Sequence, residues 1–255
     1  MNIVGIIPAR YHSTRFPGKP LALILGKPMI QHVFERAAGS ASLQKLVVAT
    51  DDHRIFRAVR DFGGEVIMTG EHHASGTDRL AEAGTKLGLA PEDIVANIQG
   101  DEPLVRPEMV DALVAALALA QDCPMATLAH PSNSDEDFHN PNVVKLVLDR
   151  KKRALYFSRS PIPFFRETPT ASSSLTEGSL FLKHLGYYAY RQSFLETFTR
   201  LPPTPLETAE MLEQLRALEH GYPIQVAISP WETFGVDTPD DLAKVARILD
   251  GNSIF

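Results

Sequence analysis

Acidic residues are missing from a stretch where a net-acidic chain would be expected to carry some. The chain has 255 residues and a formal net charge of −6, yet no Asp or Glu precedes Glu35. That stretch includes IIPARYHSTRFPGKPL, residues 6 to 21, with Arg10, Arg15 and Lys19. A cationic loop with no acid near it in sequence points to an anionic ligand, because a neighbouring carboxylate would compete for the same cations. Cysteine is almost absent as well. The one residue, Cys123, excludes an internal disulfide and a cysteine-based zinc cluster, and before Pro124 it reads as a small apolar filler. No apolar run approaches the roughly 18 residues that a membrane span needs. The short run IVGII leads straight into a polar loop and lacks a signal-peptide pattern. A cytoplasmic protein that contacts no membrane is therefore expected, and the negative net charge argues against coating nucleic acid. No internal repeat and no clear linker occur.

Two nucleotide motifs are also missing. There is no GxxxxGK[ST] loop, and no GxGxxG follows a strand; FGGEV is a helix end that precedes one. Any phosphate chain would then be held by side chains and an open loop.

With 44% hydrophobic and 22% charged residues, the composition is that of an ordinary folded α/β protein. NIVGIIPA, KLVVATD, EVIMTG and DIVANIQGD read as strands, apolar throughout as parallel strands are. Each is followed by a helical pattern: PMIQHVFERAA, HRIFRAVRDF, TDRLAEAGTKLG and PEMVDALVAALALAQ. Pro28 suits the first turn of its helix, and Gly63 with Gly64 the end of the second. Four strand–helix pairs predict a mostly parallel central sheet flanked by helices. The second half is less regular. MATLAH, VVKLVLD, RALYFS and HLGYYAY predict strands of a smaller hairpin-rich subdomain, and residues 166–179 a polar loop. One helix is expected over TPLETAEMLEQLRALEHG, with Thr204, Pro205 and Glu207 as its capping box. PIQVAIS and TPDDLAKVARILD, the latter capped by Thr238, close the chain. A single domain with two lobes is expected over 1–255, one lobe mainly in 1–125 and the other mainly in 126–222, with a last strand and helix over 223–250 that rejoin the main sheet.

In such a sheet, ligands bind outside the carboxyl ends of the strands. The loops there carry Arg10, Ser13, Thr14, Arg15 and Lys19; His72 to Arg79; Gln99 to Pro103; and Gly235 to Pro239. Basic groups on one loop and carboxylates on two others suit a nucleoside triphosphate with magnesium. Arg and Lys give phosphate charge-assisted hydrogen bonds, roughly twice as strong as neutral ones. Magnesium takes hard oxygens, usually one or two carboxylates plus phosphate and water. Asp101 and Asp237, both at strand ends, are candidates to share one metal.

At these loops the sequence resembles a known family. IIPARYHSTRFPGKPL, ASGTDRLAE, NIQGDEPLV, NPNVVKLVLD, ALYFSR, HLGYYAYR, PLETAEMLEQLR and GVDTPDDL, in this order, resemble 3-deoxy-manno-octulosonate cytidylyltransferase (CMP-Kdo synthetase), from about residue 3 to about residue 245. The family couples CTP to the acid sugar Kdo, giving CMP-Kdo for lipopolysaccharide and pyrophosphate. The resemblance implies a Rossmann-like nucleotidyltransferase fold, magnesium dependence and a homodimer. It assigns Arg10, Ser13 and Lys19 to the CTP phosphates, and Ser75, Gly76 and Arg79 to the segment near the cytosine. Gln99 lies by the nucleotide. The resemblance makes Asp101 and Asp237 the magnesium carboxylates and places Arg159, His184, Tyr188, Glu213 and Gln214 on the sugar side. Asp78 stands where some relatives have Glu.

Preorganised cations facing the leaving pyrophosphate are then the main expected catalytic device, supplied by Arg10, Lys19 and Arg15, although Arg15 fits a solvent-exposed position as well. Magnesium on Asp101 and Asp237, with a second ion on the outer phosphates, would form a two-metal clamp. Arg159 has the planar fork that binds a carboxylate. No dedicated general base is evident, and His184 is a candidate only through the resemblance. Related acceptors such as 8-amino-Kdo or sialic acid stay open. A sugar-1-phosphate acceptor would need a second phosphate site, and a non-catalytic sensor would not need both aspartates. His72 and His73, adjacent in sequence, are expected to point apart. Glu207, Glu210 and Glu213, three residues apart, suggest a solvated helix face. Tyr188 and Tyr190 should share a strand face opposite Tyr187.

Overall fold

Strand β1, Ile3–Ala9, is buried along most of its length, as its unbroken apolar sequence requires. The computed structural model describes residues 1–12, 16–73, 75–167 and 179–251. Ser13, Thr14, Arg15 and most of the polar loop expected over 166–179 lie outside them. After β1 come a 3-10 turn at Lys19–Leu21 and the small hairpin β2 (Leu23–Ile24) and β3 (Lys27–Pro28). The chain continues through α1 (Met29–Ala37), β4 (Lys45–Thr50), α2 (His53–Asp61), β5 (Val66–Met68), α3 (Gly76–Lys86), β6 (Ile94–Asn97) and α4 (Pro107–Leu119). It goes on with β7 (Met125–Ser132), α5 (Asp135–His139), β8 (Lys145–Leu148), β9 (Ala154–Ser158), β10 (Phe181–Arg191), α6 (Gln192–Phe198) and α7 (Pro205–Glu210). It closes with α8 (Gln214–Glu219), β11 (Ile224–Ile228) and α9 (Pro239–Leu249). This is the expected α/β architecture, with strand and helix alternating in the first half and hairpins in the second.

The chain divides into two compact units. The first comprises Met1–Asp111, Arg191–Thr199 and Thr233–Phe255. Its strands lie in the order β6-β1-β4-β5, all parallel. The chain starts in the middle at β1, moves outward through β4 and β5, then returns to the other side of β1 as β6. The strand order reverses between β1 and β6, and in open parallel sheets a crevice opens at that point. Buried Ile24, Met29, Val236 and Val245, with Phe16, Leu104, Phe234 and Leu242 against them, hold α9 and the segment before it beside the 3-10 turn. Pro28 takes the N-cap position of α1 with extended backbone, one residue earlier than the first helical turn.

The second unit comprises Ala112–Tyr190 and Arg200–Glu232. Here β11 runs parallel to β7, β7 antiparallel to β10, β10 antiparallel to β8, and β8 antiparallel to β9. The one helix expected over 204–221 is two, α7 and α8, because Met211 between them takes left-handed backbone, with φ 53°. The carbonyls that a continuous helix would use internally are taken elsewhere. Glu210 O accepts from Arg159 Nε at 2.7 Å, and Met211 O from Arg159 Nη2 at 3.4 Å. The three glutamates therefore do not form one solvated face. Glu207 pairs with Arg216, and Glu210 accepts from Ser158 Oγ and the Arg159 backbone N–H.

Candidate active site

The carboxyl ends of β1 and β6 form the floor of a cavity lined by Pro8, Ala9, Arg10, Lys19, Gly76, Gln99, Gly100 and Asp101. It lies wholly within the first unit, at the reversal of strand order. Ile98 N donates to Ile6 O at 3.0 Å, which extends the β1–β6 pairing to the rim. Gly100 lets the two strand ends approach, since a Cβ there would stand 2.8 Å from the carbonyl oxygen of Pro8.

Lys19 reaches this rim because the loop before it is closed. Gly18 N donates to Tyr11 O at 2.8 Å, and Gly18 has left-handed backbone, φ 72°. The Lys19 ammonium then lies 2.7 Å from Asp101 Oδ2 and 3.3 Å from Asp237 Oδ1. Its side chain is 12% exposed, against 38% and 48% for the two aspartates. A backbone hydrogen bond from Val236 N to Asp101 O, 2.9 Å, ties the two carboxylate loops together. The Thr238 side chain caps α9 through Asp241 N, so Asp237 is not used as the cap.

Two carboxylates that share one ammonium can also converge on a hard divalent cation. Among the described residues there is no cluster of three or more His, Cys, Asp or Glu side chains that would enclose a metal alone. A donor pair that leaves the remaining positions to phosphate and water is the kind magnesium takes, and Asp101 with Asp237 fits it.

Arg10 also lines the cavity, with Arg79, Asp51 and Asp78 nearby. Burial lowers its pKa, Arg79 adds to the effect, and Asp51 and Asp78 oppose it. Arg10 and Lys19 are therefore compensated in space by acids distant in sequence. Ser75 caps α3: its Oγ accepts from Asp78 N, and the Asp78 carboxylate accepts from Ser75 N at 3.0 Å. Gly76, the first residue of that helix, lines the cavity. Arg79 is fully buried and turned into the protein, donating to Asp51 Oδ2 at 2.5 Å and to the Thr69 hydroxyl. His72 and His73 do not point apart. Their ring centroids are 4.6 Å from each other, and His73 pairs with Glu82.

The residues matched to the sugar side all belong to the second unit. Arg159 commits its Nε, Nη1 and Nη2 to the carbonyls of Glu210, Pro141 and Met211, leaving two of the five guanidinium N–H donors for a ligand. Its backbone is fixed by Lys145, fully buried, whose ammonium donates to the carbonyls of Asn140, Val143 and Arg159. Gln214 is 5% exposed, and among the described residues its Nε2 has no hydrogen-bond partner. A buried orphan donor costs about 1–3 kcal/mol unless something satisfies it. Glu213, next to it, is half-buried and 3.9 Å from Arg216.

His184 stands between aromatic rings, 5.0 Å from Phe157 and 5.4 Å from Tyr188, centroid to centroid. Burial lowers its pKa to about 3, so the imidazole is neutral at physiological pH. Burial also drives the Tyr188 phenol well above its ordinary value. Tyr188 and Tyr190 stack at 5.8 Å, on one face as alternation requires.

A model of the Cytidylyltransferase family matches residues 4–228. The chain belongs to the cytidylyltransferase family. It is similar to the 3-deoxy-manno-octulosonate cytidylyltransferase of Syntrophobacter fumaroxidans, 62% identical over 100% of this chain and 99% of that one. It is also similar to the 8-amino-3,8-dideoxy-manno-octulosonate cytidylyltransferase of Shewanella pealeana, 51% identical over 95% and 96%. Among solved structures it is similar to CMP:2-keto-3-deoxy-manno-octonic acid synthetase complexed with CTP. There the TM-score is 0.90 and the identity 44%, over 99% of this chain and 100% of the other.

The sequence reading of this cytidylyltransferase missed Asp51, although the residue directly follows the strand KLVVAT. The rule that picked out Asp101, a carboxylate at the carboxyl end of a parallel strand, would have found it. Glu210 and Lys145, which hold Arg159, had no comparable signal because their partners are far along the chain.

Proposed function

We propose that this chain transfers CMP from CTP to Kdo, releasing pyrophosphate, as the activating step that supplies CMP-Kdo to lipopolysaccharide synthesis in the cytoplasm. The observation that carries the reading is the meeting of Lys19, Asp101 and Asp237 at the crevice beside β1 and β6, in a chain of this family. A sugar hydroxyl attacks the α-phosphorus and gives up its proton to water; the new P–O bond forms as the bond to the β-phosphate breaks, and pyrophosphate leaves with the electron pair. Arg10, with Ser13 and Arg15 on the same loop, binds the phosphate chain and offsets charge that grows on the leaving group. Lys19 keeps the two carboxylates together and adds a second fixed positive charge. Ser75, Gly76, Arg79 and Gln99 form the wall that takes the nucleoside; Ser75 acts by capping α3, and Arg79 by its bonds to Asp51 and Thr69. Magnesium held by Asp101 and Asp237 would supply Lewis-acid activation of the phosphate and of the attacking hydroxyl. On the sugar side the two remaining donors of Arg159 face the substrate carboxylate, while His184, Tyr188, Glu213 and Gln214 hydrogen-bond the hydroxyls. Gln214 Nε2 would gain its missing acceptor there. A homodimer belongs to the same proposal, and sedimentation of the full chain tests it.

Pyrophosphate release is measured with CTP and magnesium, acceptor by acceptor. Kdo is expected to give the highest kcat/KM. Preference for 8-amino-Kdo or sialic acid would reassign the acceptor, and release with none of the three would remove the transferase reading.

A further inference from the structure

Thr127, on β7, is fully buried and absent from the residues the sequence picks out. It faces an irregular part of β10. His184 pairs with Ala129 and Tyr188 with Thr127, so Leu185, Gly186 and Tyr187 together oppose Leu128 alone. Gly186 makes this bulge possible with left-handed backbone, φ 73°. The Thr127 hydroxyl donates to Tyr187 O at 2.6 Å, and the same oxygen lies 2.9 Å from His184 Nε2.

A hydroxyl has one proton. A carbonyl oxygen can only accept, so that proton is committed to Tyr187. Toward His184 the Thr127 oxygen can then only accept, and Nε2 must carry the hydrogen. The opposite tautomer would set two lone pairs against each other at 2.9 Å in a buried site. Since the ring is neutral at physiological pH, Nδ1 is left as a lone pair. Among the described residues nothing donates to it, and the residue as a whole is half-buried.

We propose that Thr127 is a positioning residue that locks His184 in its Nε2–H tautomer, so that Nδ1 accepts a hydrogen bond from a hydroxyl of the acid sugar. This rests on the reading that His184 contacts the sugar. His184 then orients a hydroxyl without taking up its proton, which agrees with the absence of an evident general base.

The full chain labelled with 15N-histidine answers the first part without any substitution. At neutral pH the His184 ring, assigned by the signal lost in His184→Ala, is expected to show a protonated Nε2 and an unprotonated Nδ1. The reverse tautomer, or an even mixture, overturns the proposal. Kinetics answer the second part. Thr127→Val should raise the KM for Kdo about fivefold to tenfold, the scale of one hydrogen bond, and leave the KM for CTP nearly unchanged. Thr127→Ser should restore the Kdo KM. If His184→Ala raises the Kdo KM while a folded Thr127→Val does not, the positioning role is wrong and the sugar contact stands. If His184→Ala leaves it unchanged, the sugar contact falls and the proposal falls with it.

Discussion

The Nζ of Lys19 lies 2.7 Å from Asp101 and 3.3 Å from Asp237, so two carboxylates share one ammonium. Lys19→Ala takes away the charge that both aspartates use, and it is expected to lower kcat for pyrophosphate release by about 10²–10³-fold, the usual effect of losing one preorganised electrostatic partner. Asp101→Asn is expected to cost a similar factor with the thermal midpoint little changed, because the side chain is partly exposed. Near-wild-type turnover in this variant would take Asp101 out of the chemistry. Asp51 is a different case. It is the charged partner of Arg79, which has no solvent exposure. Removing one partner of a buried pair strands the other, so Asp51→Asn should lower unfolding free energy by about 3 kcal/mol in urea denaturation. An unchanged midpoint would mean that Thr69 and the cavity alone suffice to hold the guanidinium.

At the scale of elements, α3 organises the segment before it. Glu82 on α3 accepts from Gly70 N at 2.8 Å, pairs with His73, and lies 2.7 Å from Lys86. Burial alone would raise its pKa, but the Lys86, His73 and Gly70 hydrogen bonds outweigh burial and bring it from 4.5 to about 2. A carboxylate with a depressed folded pKa contributes stability that is fully present above its unfolded pKa and lost as pH falls toward the folded one. The urea midpoint should therefore drop as pH is lowered from about 4.5 to about 2, and Glu82→Gln should flatten that part of the profile. An identical profile in the variant would show that other carboxylates carry the acid sensitivity. The division of the 204–221 segment into α7 and α8 is an effect at the same scale: propensity favours one helix, and the hydrogen bonds of Arg159 to Glu210 O and Met211 O hold the break.

For the whole molecule, ligand binding and stability are coupled. A ligand that binds only the folded chain at 100 times its Kd stabilises by about 2.7 kcal/mol. At this chain length that corresponds to a rise in Tm of about 5–10 °C. CTP with magnesium is expected to give a shift of this size in the wild type. In the double variant Asp101→Asn, Asp237→Asn the part of the shift that depends on magnesium should disappear, while the part from CTP alone remains. A magnesium-dependent shift that survives in the double variant would place the ion elsewhere. Among the described residues no helix is long and apolar enough to cross a membrane.

The alternation of strands and helices in the first half was determined by the sequence alone, because unbroken apolar runs and 3.6-residue periodicity are local properties. The loops worth attention followed from the same pattern: once the strands were placed, Arg10, Lys19, Asp101 and Asp237 had to stand at their carboxyl ends. Tertiary structure decided what those side chains do. Lys19 meets partners 82 and 218 residues away, and Arg10, which has no acid near it in sequence, has Asp51 and Asp78 near it in space. Arg79, expected beside a nucleoside, is turned inward by Asp51, and Met211 breaks a helix that periodicity would have continued. The tautomer of His184 depends on one proton of Thr127, 57 residues away. Periodicity reports how each residue prefers to fold with its chain neighbours, whereas charge pairing, burial and proton placement depend on neighbours that only the folded chain brings within hydrogen-bond distance.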